Sequence, residues 1–168
     1  MSLVGSFWSF SLSVYGKPGV EAACLDLQDR FGADVNLALY CLWIGRTLTP
    51  QALALALEAA APLRQYIDPL REMRRSLPKD AGVREAVKKA ELAAEKLEQD
   101  ALEALGEAEV QDAETAVANL RLYAEWLRVD IDQFLEASRP LIEAISPQQN
   151  SSSPRSGFAK VAPDRPRE

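Results

Sequence analysis

One segment, residues 35–46, is apolar on nearly every side of the helix that it favours, and it limits the fold more than any other feature. Its large apolar side chains are Val35, Leu37, Leu39, Leu42, Trp43 and Ile44. A helix without a polar face must be surrounded by other parts of the protein, because its apolar sides are unfavourable in water. Asp34 stands where a helix N-cap is expected. We therefore expect a central, buried helix.

The neighbouring segments also predict helices. Ala, Leu and Glu dominate the chain and β-branched residues are scarce, which favours helix nearly throughout. Residues 5–15 carry a broad aromatic face, and residues 18–31 carry an apolar stripe with spacings of four, three and four. A fourth helix is expected from Pro50, with Pro62 and Pro69 restarting or kinking it before it ends near residues 77–78.

Residues 81–138 carry two apolar stripes with alternating spacings of four and three residues, one on each side of Gly106. The stripes are Val83, Val87, Ala90, Ala94, Leu97 and Ala101, then Ala113, Val117, Leu120, Ala124, Leu127, Ile131 and Phe134. This pattern predicts an antiparallel helical hairpin. The expected fold class is all-α: a compact multi-helix bundle of about six helices. Residues 1–140 would form one domain, with N-terminal helices over 5–78 and the hairpin over 81–138.

The end of the chain has a different character. Residues 147–168 are rich in Pro, Ser and charged residues and have almost no apolar periodicity. Such a composition buries too little apolar surface to order the backbone. We expect a disordered polar tail.

Charge is unevenly distributed along the chain. Residues 85–114 contain ten acidic and three basic residues, whereas residues 64–79 contain five basic and two acidic residues. We interpret both as solvated faces that attract one another within the fold. The net charge of −6 argues against nucleic-acid binding, which requires a basic surface.

The chain contains no histidine, so it lacks the commonest general base and the commonest metal ligand. We therefore predict no catalytic, cofactor-binding or metal-binding residues, and an enzyme is disfavoured. The two cysteines, Cys24 and Cys41, lie in apolar helical patterns and are expected in the core. The N-terminus has no basic region and no membrane-spanning stretch, so we expect a cytoplasmic protein without a membrane partner.

Three runs of sequence resemble a known family. They are Tyr15-Gly16-Lys17-Pro18-Gly19-Val20, Ala23-Cys24-Leu25-Asp26-Leu27-Gln28-Asp29, and Gly32-Ala33-Asp34-Val35-Asn36-Leu37 followed by Trp43. They resemble a family of small bacterial all-helical proteins known only as a domain of unknown function, and the resemblance is strongest over residues 5–78. It implies a helical fold in a bacterial setting and lends no catalytic residues.

Asn36 is the most informative polar residue, because it lies beside Trp43 in the otherwise apolar third helix. A buried amide without partners costs about 1–3 kcal/mol, so Asn36 must be paired. We favour a structural bond, to nearby backbone or to a side chain such as Gln28, over a contact with a ligand.

Two charged groups also merit attention. Asp26, Asp29 and Asp34 fall close together in sequence, but their spacing matches no known cation-binding loop, and solvated or capping carboxylates are the simpler interpretation. Arg71, Arg74 and Arg75 lie on one helical side and would suit an anion or an acidic partner, although a solvated surface is favoured.

The function is not set by any motif. Our leading hypothesis is a non-catalytic adaptor that binds another protein, or a second copy of itself through the hairpin. The alternative is a small-molecule binding protein or a carboxylate-based enzyme with a pocket between the first three helices. Trp8, Tyr15, Trp43 and Asn36 would line it, with Asp29 or Asp34 at its mouth. A nucleic-acid binder would require the face of residues 64–79 to be free of the acidic hairpin.

Overall fold

The computed structural model describes residues 5–147, which form eight α-helices without a β-strand. The helices are α1 (Phe7–Tyr15), α2 (Val20–Phe31), α3 (Val35–Trp43), α4 (Pro50–Ser76), α5 (Gly82–Glu103), α6 (Ala113–Leu127), α7 (Ile131–Ala137) and α8 (Arg139–Ile145). The all-α prediction is confirmed. The tail predicted for residues 147–168 lies, from residue 148 onward, outside the described residues.

The expected number of about six helices is wrong because the end of the chain is broken twice. Arg128 adopts a left-handed conformation with φ 58° and ends α6, and the side chain of Asp130 accepts a hydrogen bond from the backbone of Gln133 to cap α7. Ser138 then separates α7 from α8. The apolar stripe predicted for one long arm is therefore divided among short helices that turn back onto α2 and α6.

Helix α3 lies at the centre of the fold, as the sequence predicts. Every side chain from Asn36 to Trp43 is buried, and α1, α5, α6 and α8 all pack against it. The ring of Phe7 on α1 stacks on that of Trp43 with centroids 5.1 Å apart. Burying so many apolar side chains in one helix is the main stabilising contribution expected for a domain of this size.

Both ends of α3 are fixed by side chains. Asp34 caps its start, accepting a hydrogen bond of 2.9 Å from the backbone of Asn36, and the hydroxyl of Tyr123 on α6 accepts a hydrogen bond of 2.8 Å from the backbone N–H of Asp34. Beyond its other end, the fully buried side chain of Asn119 satisfies three backbone groups. It donates to the carbonyls of Cys41 and Arg46 at 3.0 and 2.9 Å and accepts from the N–H of Leu48 at 2.8 Å.

Helix α4 runs unbroken through Pro62 and Pro69. Of the two effects expected from these prolines, restarting or kinking the helix, the restart is therefore wrong. Each proline removes the hydrogen bond to the carbonyl four residues earlier, which belongs to Glu58 or Gln65. Both prolines and both of these residues are exposed, on the outer side of the helix. The freed carbonyls therefore lie where water can bond to them.

Helices α4 and α5 form an antiparallel hairpin, connected by residues 77–81. The predicted hairpin over 81–138 is wrong, because α5 packs along α4 while α6 packs against α3. The buried residues of α5 are Val87, Glu91, Glu98, Gln99 and Leu102, whereas Val83 and Leu97 of the predicted stripe remain exposed. Polar residues with partners on other helices thus make up most of the side of α5 that faces inward.

Cys24 and Cys41 are buried in the core, as expected, and form no disulfide. Burial raises the pKa of each thiol to about 12. No helix between residues 5 and 147 is long and apolar enough to cross a membrane.

Candidate functional site

A cleft of about 420 Å³ opens between α1, α2 and the α4–α5 hairpin, and the start of α3 forms its floor. Its walls are largely apolar. The large apolar side chains that line it are Trp8, Leu12, Tyr15, Leu25, Leu39 and Leu92. Four of them, Leu12, Tyr15, Leu25 and Leu92, are 40–57% exposed, so the rim of the cleft presents apolar surface to solvent.

The sequence of α1 explains one wall. Phe7, Ser11 and Val14 are buried, and their spacing of four and three residues defines the inner side of the helix. Trp8, Leu12 and Tyr15, each one position further on, repeat the same spacing and line the cleft. Helix α1 therefore has two adjacent stripes, one for the core and one for the cleft.

The floor of the cleft is a hydrogen-bonded group of buried polar side chains. Asn36 Nδ2 donates to Glu98 Oε2 at 2.8 Å, and Gln99 Nε2 donates to Asn36 Oδ1 at 2.9 Å. All three side chains are buried, and Asn36 and Gln99 line the cleft. The partners of Asn36 are thus on α5, rather than the nearby backbone or Gln28.

Asp34 and Glu98 bring two carboxyl groups together beneath this floor. Burial, followed by the hydrogen bond and charge of Asp34, raises the pKa of Glu98 to about 9. Asp34 Oδ2 and Glu98 Oε1 are buried without another hydrogen-bond partner among the described residues. Arg64 lies 3.5 Å from Asp34 Oδ2. We infer that Glu98 is protonated at neutral pH and donates to Asp34, since two adjacent buried carboxylates would repel each other.

An ion-pair cluster joins α4 to α5 at the side of the cleft. Arg71 Nε lies 3.2 Å from Glu91 Oε1, and Arg71 Nη2 lies 3.0 Å from Glu95 Oε1. Arg74 donates to both oxygens of Glu91. Burial raises the pKa of Glu95, and the charge of Arg71 opposes that rise. The cluster confirms that the basic and acidic stretches attract one another within the fold.

Two polar atoms in this region lack partners. The Oγ of Ser11 and the Oε1 of Gln99 are buried and have no hydrogen-bond partner among residues 5–147, and both residues line the cleft. A buried, unpaired acceptor costs about 1–3 kcal/mol. Such atoms beside a cleft mark places where a bound molecule would gain hydrogen bonds.

The structure gathers eight of the ten candidate residues named from the sequence around this cleft. They are Trp8, Tyr15, Gln28, Asp34, Asn36, Arg71, Arg74 and Arg75. Asp34 lies at the floor rather than at the mouth. The cleft also has walls from α4 and α5, which a pocket between the first three helices would not have.

Trp43 and Asp29 lie outside the cleft. Trp43 packs on Phe7, and its indole N–H donates to the carbonyl of Gly5 at 3.2 Å. Asp29 pairs with Arg75 at 3.2 Å, at the surface. Asp26 pairs with Arg30 instead, and no group of three or more Cys, Asp or Glu side chains in residues 5–147 is arranged to hold a metal ion.

Comparison with known proteins places the chain in a family. The model of a family described as "Protein of unknown function (DUF2390)" matches residues 6–102, more than half of the chain. The chain belongs to the DUF2390 family. No curated protein and no solved structure matches it. The family resemblance seen in residues 5–78 is thereby confirmed, and it extends further along the chain than the sequence motifs indicated.

The DUF2390 match covers every residue that lines the cleft, from Trp8 on α1 to Gln99 on α5. Helices α6 to α8 follow the matched region. They contribute no lining residue, yet Tyr123 on α6 bonds to the backbone of Asp34 at the floor.

Sequence reasoning about this DUF2390 chain missed four polar residues of α5 because the acidic run was interpreted as a solvated face. They are Glu91, Glu95, Glu98 and Gln99. Glu91, Glu95 and Glu98 are spaced four and three residues apart, which is the spacing of a buried helical stripe. Together with Arg71 and Arg74 in the preceding helix, this spacing is the signal that would have indicated an inward-facing ion-pair cluster.

Proposed function

We propose that this chain is a non-catalytic binding protein that holds a small molecule in the cleft. The observation that carries the proposal is the exposure of Leu12, Tyr15, Leu25 and Leu92 around one concavity with a polar floor. Ligand sites in proteins are typically concave and mostly apolar, with a few polar groups that orient the ligand. A ligand that covers these four side chains would remove apolar surface from water, which favours binding.

The carboxylates at the cleft support binding over catalysis. A carboxylate that acts as a general base must be free to take up a proton from its substrate. Glu91 instead accepts hydrogen bonds from both Arg71 and Arg74, and Glu95 accepts one from Arg71. Both carboxylates are thus occupied by arginine side chains, so a carboxylate-based enzyme is the weaker version of this proposal.

A fragment screen with a matched pair of variants tests the proposal. Leu92 and Leu97 are both exposed leucines on α5, but only Leu92 lines the cleft. Leu92→Trp would fill part of the cleft, and Leu97→Trp would add the same side chain outside it. We expect ligand-observed NMR of the full chain to find fragments that bind the wild type and Leu97→Trp, with binding lost in Leu92→Trp. A library without hits, or hits retained in Leu92→Trp, would contradict the proposal.

A second candidate function is that of an adaptor that binds another protein. It is supported by the outer side of α5, where exposed small and apolar residues recur at spacings of three and four: Val83, Ala86, Ala90, Ala93 and Leu97. Such a stripe suits packing against another helix. The partner would be another protein or a second copy of this chain. The hairpin over residues 81–138, through which dimerisation was predicted, does not form within the chain.

Charge substitution on this stripe tests the adaptor hypothesis. Ala90→Glu and Ala93→Glu place carboxylates in its middle without touching the cleft. If the protein is an adaptor, we expect these two variants to lose binding to a specific partner, or to lose dimerisation in sedimentation experiments. Leu92→Trp should keep both properties. A strictly monomeric wild type that recovers no specific partner would end this hypothesis.

The expected setting remains the bacterial cytoplasm, with no nucleic acid as partner. The pairing of basic residues with carboxylates supports the absence of a nucleic-acid partner. Arg64, Arg71, Arg74 and Arg75 each have a carboxylate partner in the fold, so this face offers little unpaired positive charge to phosphates.

A further inference from the structure

The hydrogen bonds beneath the cleft run in one direction. Gln99 donates to Asn36, Asn36 donates to Glu98, and a proton on Glu98 Oε1 would be donated to Asp34 Oδ2. The inner end of this chain is Asp34, which lies near Arg64. Hydrogen bonds aligned in this way polarise one another.

The direction of these hydrogen bonds determines which atom of the Gln99 side chain remains without a partner. Its Nε2 is engaged by Asn36, so the atom without a partner is Oε1, an acceptor. With the Glu98 proton on Oε1, reversing both amides would bring Asn36 Oδ1 against Glu98 Oε2, two acceptors facing one another. Gln99 Oε1 is therefore the atom of the polar floor that a hydrogen-bond donor would satisfy.

Two other polar groups at the cleft have an oxygen that accepts no hydrogen bond from the described residues. Ser11 Oγ has no partner among the described residues, and Glu95 uses one oxygen for Arg71 while its side chain is 28% exposed. Arg71 and Arg74 direct N–H groups at Glu91 and Glu95. The buried oxygens of Gln99 and Ser11 therefore receive no donor from these two arginines.

The charges that line the cleft balance. Equal numbers of acidic and basic side chains line it: Glu21, Asp34, Glu91 and Glu95, against Arg71, Arg74, Arg75 and Lys88. A charged ligand would leave a net charge in a partly desolvated site, which is unfavourable. The balance favours an uncharged ligand, and the apolar rim favours an apolar body.

Given the proposed binding function, we propose that the ligand is an uncharged, largely apolar molecule with a primary amide or equivalent N–H₂ group that donates to Gln99 Oε1 and Ser11 Oγ. Neighbouring side chains cover both oxygens. The ligand reaches them by displacing part of the cleft wall, whose outermost side chains, Leu12 and Leu92, are about half exposed.

Four compounds that share one ring test this ligand class: benzamide, methyl benzoate, benzoate and benzylammonium. Binding to the full chain would be followed by chemical-shift changes in ¹⁵N-labelled protein, including the side-chain amide of Gln99. We expect benzamide to bind about tenfold more tightly than methyl benzoate, which has no donor. Benzamide, and not the ester, should shift the Gln99 side-chain signal.

Two variants test which side chains cause the preference for benzamide. Gln99→Met keeps the length of the side chain without its acceptor, and we expect it to bind benzamide and methyl benzoate equally. Ser11→Ala leaves the hydrogen-bonded chain intact and should reduce the preference for benzamide in part. If Gln99→Met does not fold, the result for Ser11→Ala tests the proposal. An unchanged preference for benzamide over methyl benzoate in Ser11→Ala would overturn the proposed hydrogen bonds.

The outcomes separate this inference from the proposed function. Equal binding of benzamide and methyl benzoate to the wild type, with both lost in Leu92→Trp, would overturn the ligand class and leave the cleft as a binding site. Tighter binding of benzoate or benzylammonium would overturn the uncharged ligand. If neither these compounds nor any library fragment binds the cleft, the ligand class and the binding function both fail.

Discussion

Glu98 on α5 and Asp34 at the start of α3 place two carboxyl groups side by side in the core, and the folded protein accommodates them by keeping Glu98 protonated. Glu98 has no exposed surface, and burial is the main cause of its raised pKa. In the unfolded chain the same group would titrate in the ordinary carboxyl range. Folding above that range therefore requires the uptake of a proton.

This uptake makes the stability of the wild type depend on pH. The contribution of a raised pKa is complete below the unfolded value and is lost as pH rises toward the folded value of about 9. We expect the free energy of unfolding to fall between about pH 5 and 8, by at most about 1.4 kcal/mol per pH unit. Glu98→Gln mimics the protonated acid and should flatten this dependence in urea unfolding. Glu72→Gln, at an exposed position, is the control; parallel curves for both variants would contradict the assignment.

Glu91 holds two arginines in place, so its removal should be costly. Glu91→Ala would leave Arg71 and Arg74 partly buried without their shared carboxylate. We expect a loss of roughly 3 kcal/mol in the free energy of unfolding, measured with urea. The matched control is Asp26→Ala, which breaks an exposed pair with Arg30 and should cost less than about 1 kcal/mol. Similar losses from the two substitutions would show that the cluster is no more than a surface ion pair.

Asn119 satisfies three backbone groups after the end of α3, and no small residue can replace it. Asn119→Ala would leave the carbonyls of Cys41 and Arg46 and the N–H of Leu48 without this partner. We expect a loss of about 3 kcal/mol and a fall in Tm of about 6–12 °C. Asn119→Asp, which keeps an acceptor but loses both donors, should also be destabilised. An unchanged Tm for either variant would mean that the backbone finds other partners.

Two glycines with nearly the same backbone conformation should respond differently to alanine. Gly32 and Gly45 have φ of 65° and 64°, a region that costs other residues about 1 kcal/mol. A Cβ at Gly32 would meet nothing within 4 Å, whereas one at Gly45 would collide with the backbone carbonyl of Glu109. Thermal unfolding should show a clearly larger loss for Gly45→Ala than for Gly32→Ala. Equal losses would indicate that the 104–112 connection moves aside freely.

The sequence predicted those parts of the fold that local rules determine. Asp34 caps α3 and α4 begins at Pro50, both as expected, and Gly32 ends α2 in the left-handed conformation. The all-apolar character of α3 placed that helix at the centre. The same apolar pattern also made Asn36 a candidate, because a buried amide in such a helix requires hydrogen-bond partners.

Two features could not be predicted in this way because they depend on distant parts of the chain. Glu91 and Glu98 are buried because Arg71, Arg74 and Asn36 lie opposite them, and the spacing of these glutamates becomes informative only when it is considered together with the arginines of α4. Half of the six residues in the apolar stripe predicted for α5 are alanines, whose burial gains little free energy. Helix α5 therefore turns its paired polar side inward, which reversed the packing expected for residues 81–138.

The attachment of α3 to α6 has a consequence for the newly made chain. The backbone of Asp34 is held by Tyr123, 89 positions later in the sequence. Ribosomes add roughly 5–20 residues per second, so the most apolar helix emerges several seconds before the helix that covers it. During that interval the apolar surface of α3 is exposed to solvent. We therefore expect a chaperone that binds nascent chains to bind this helix.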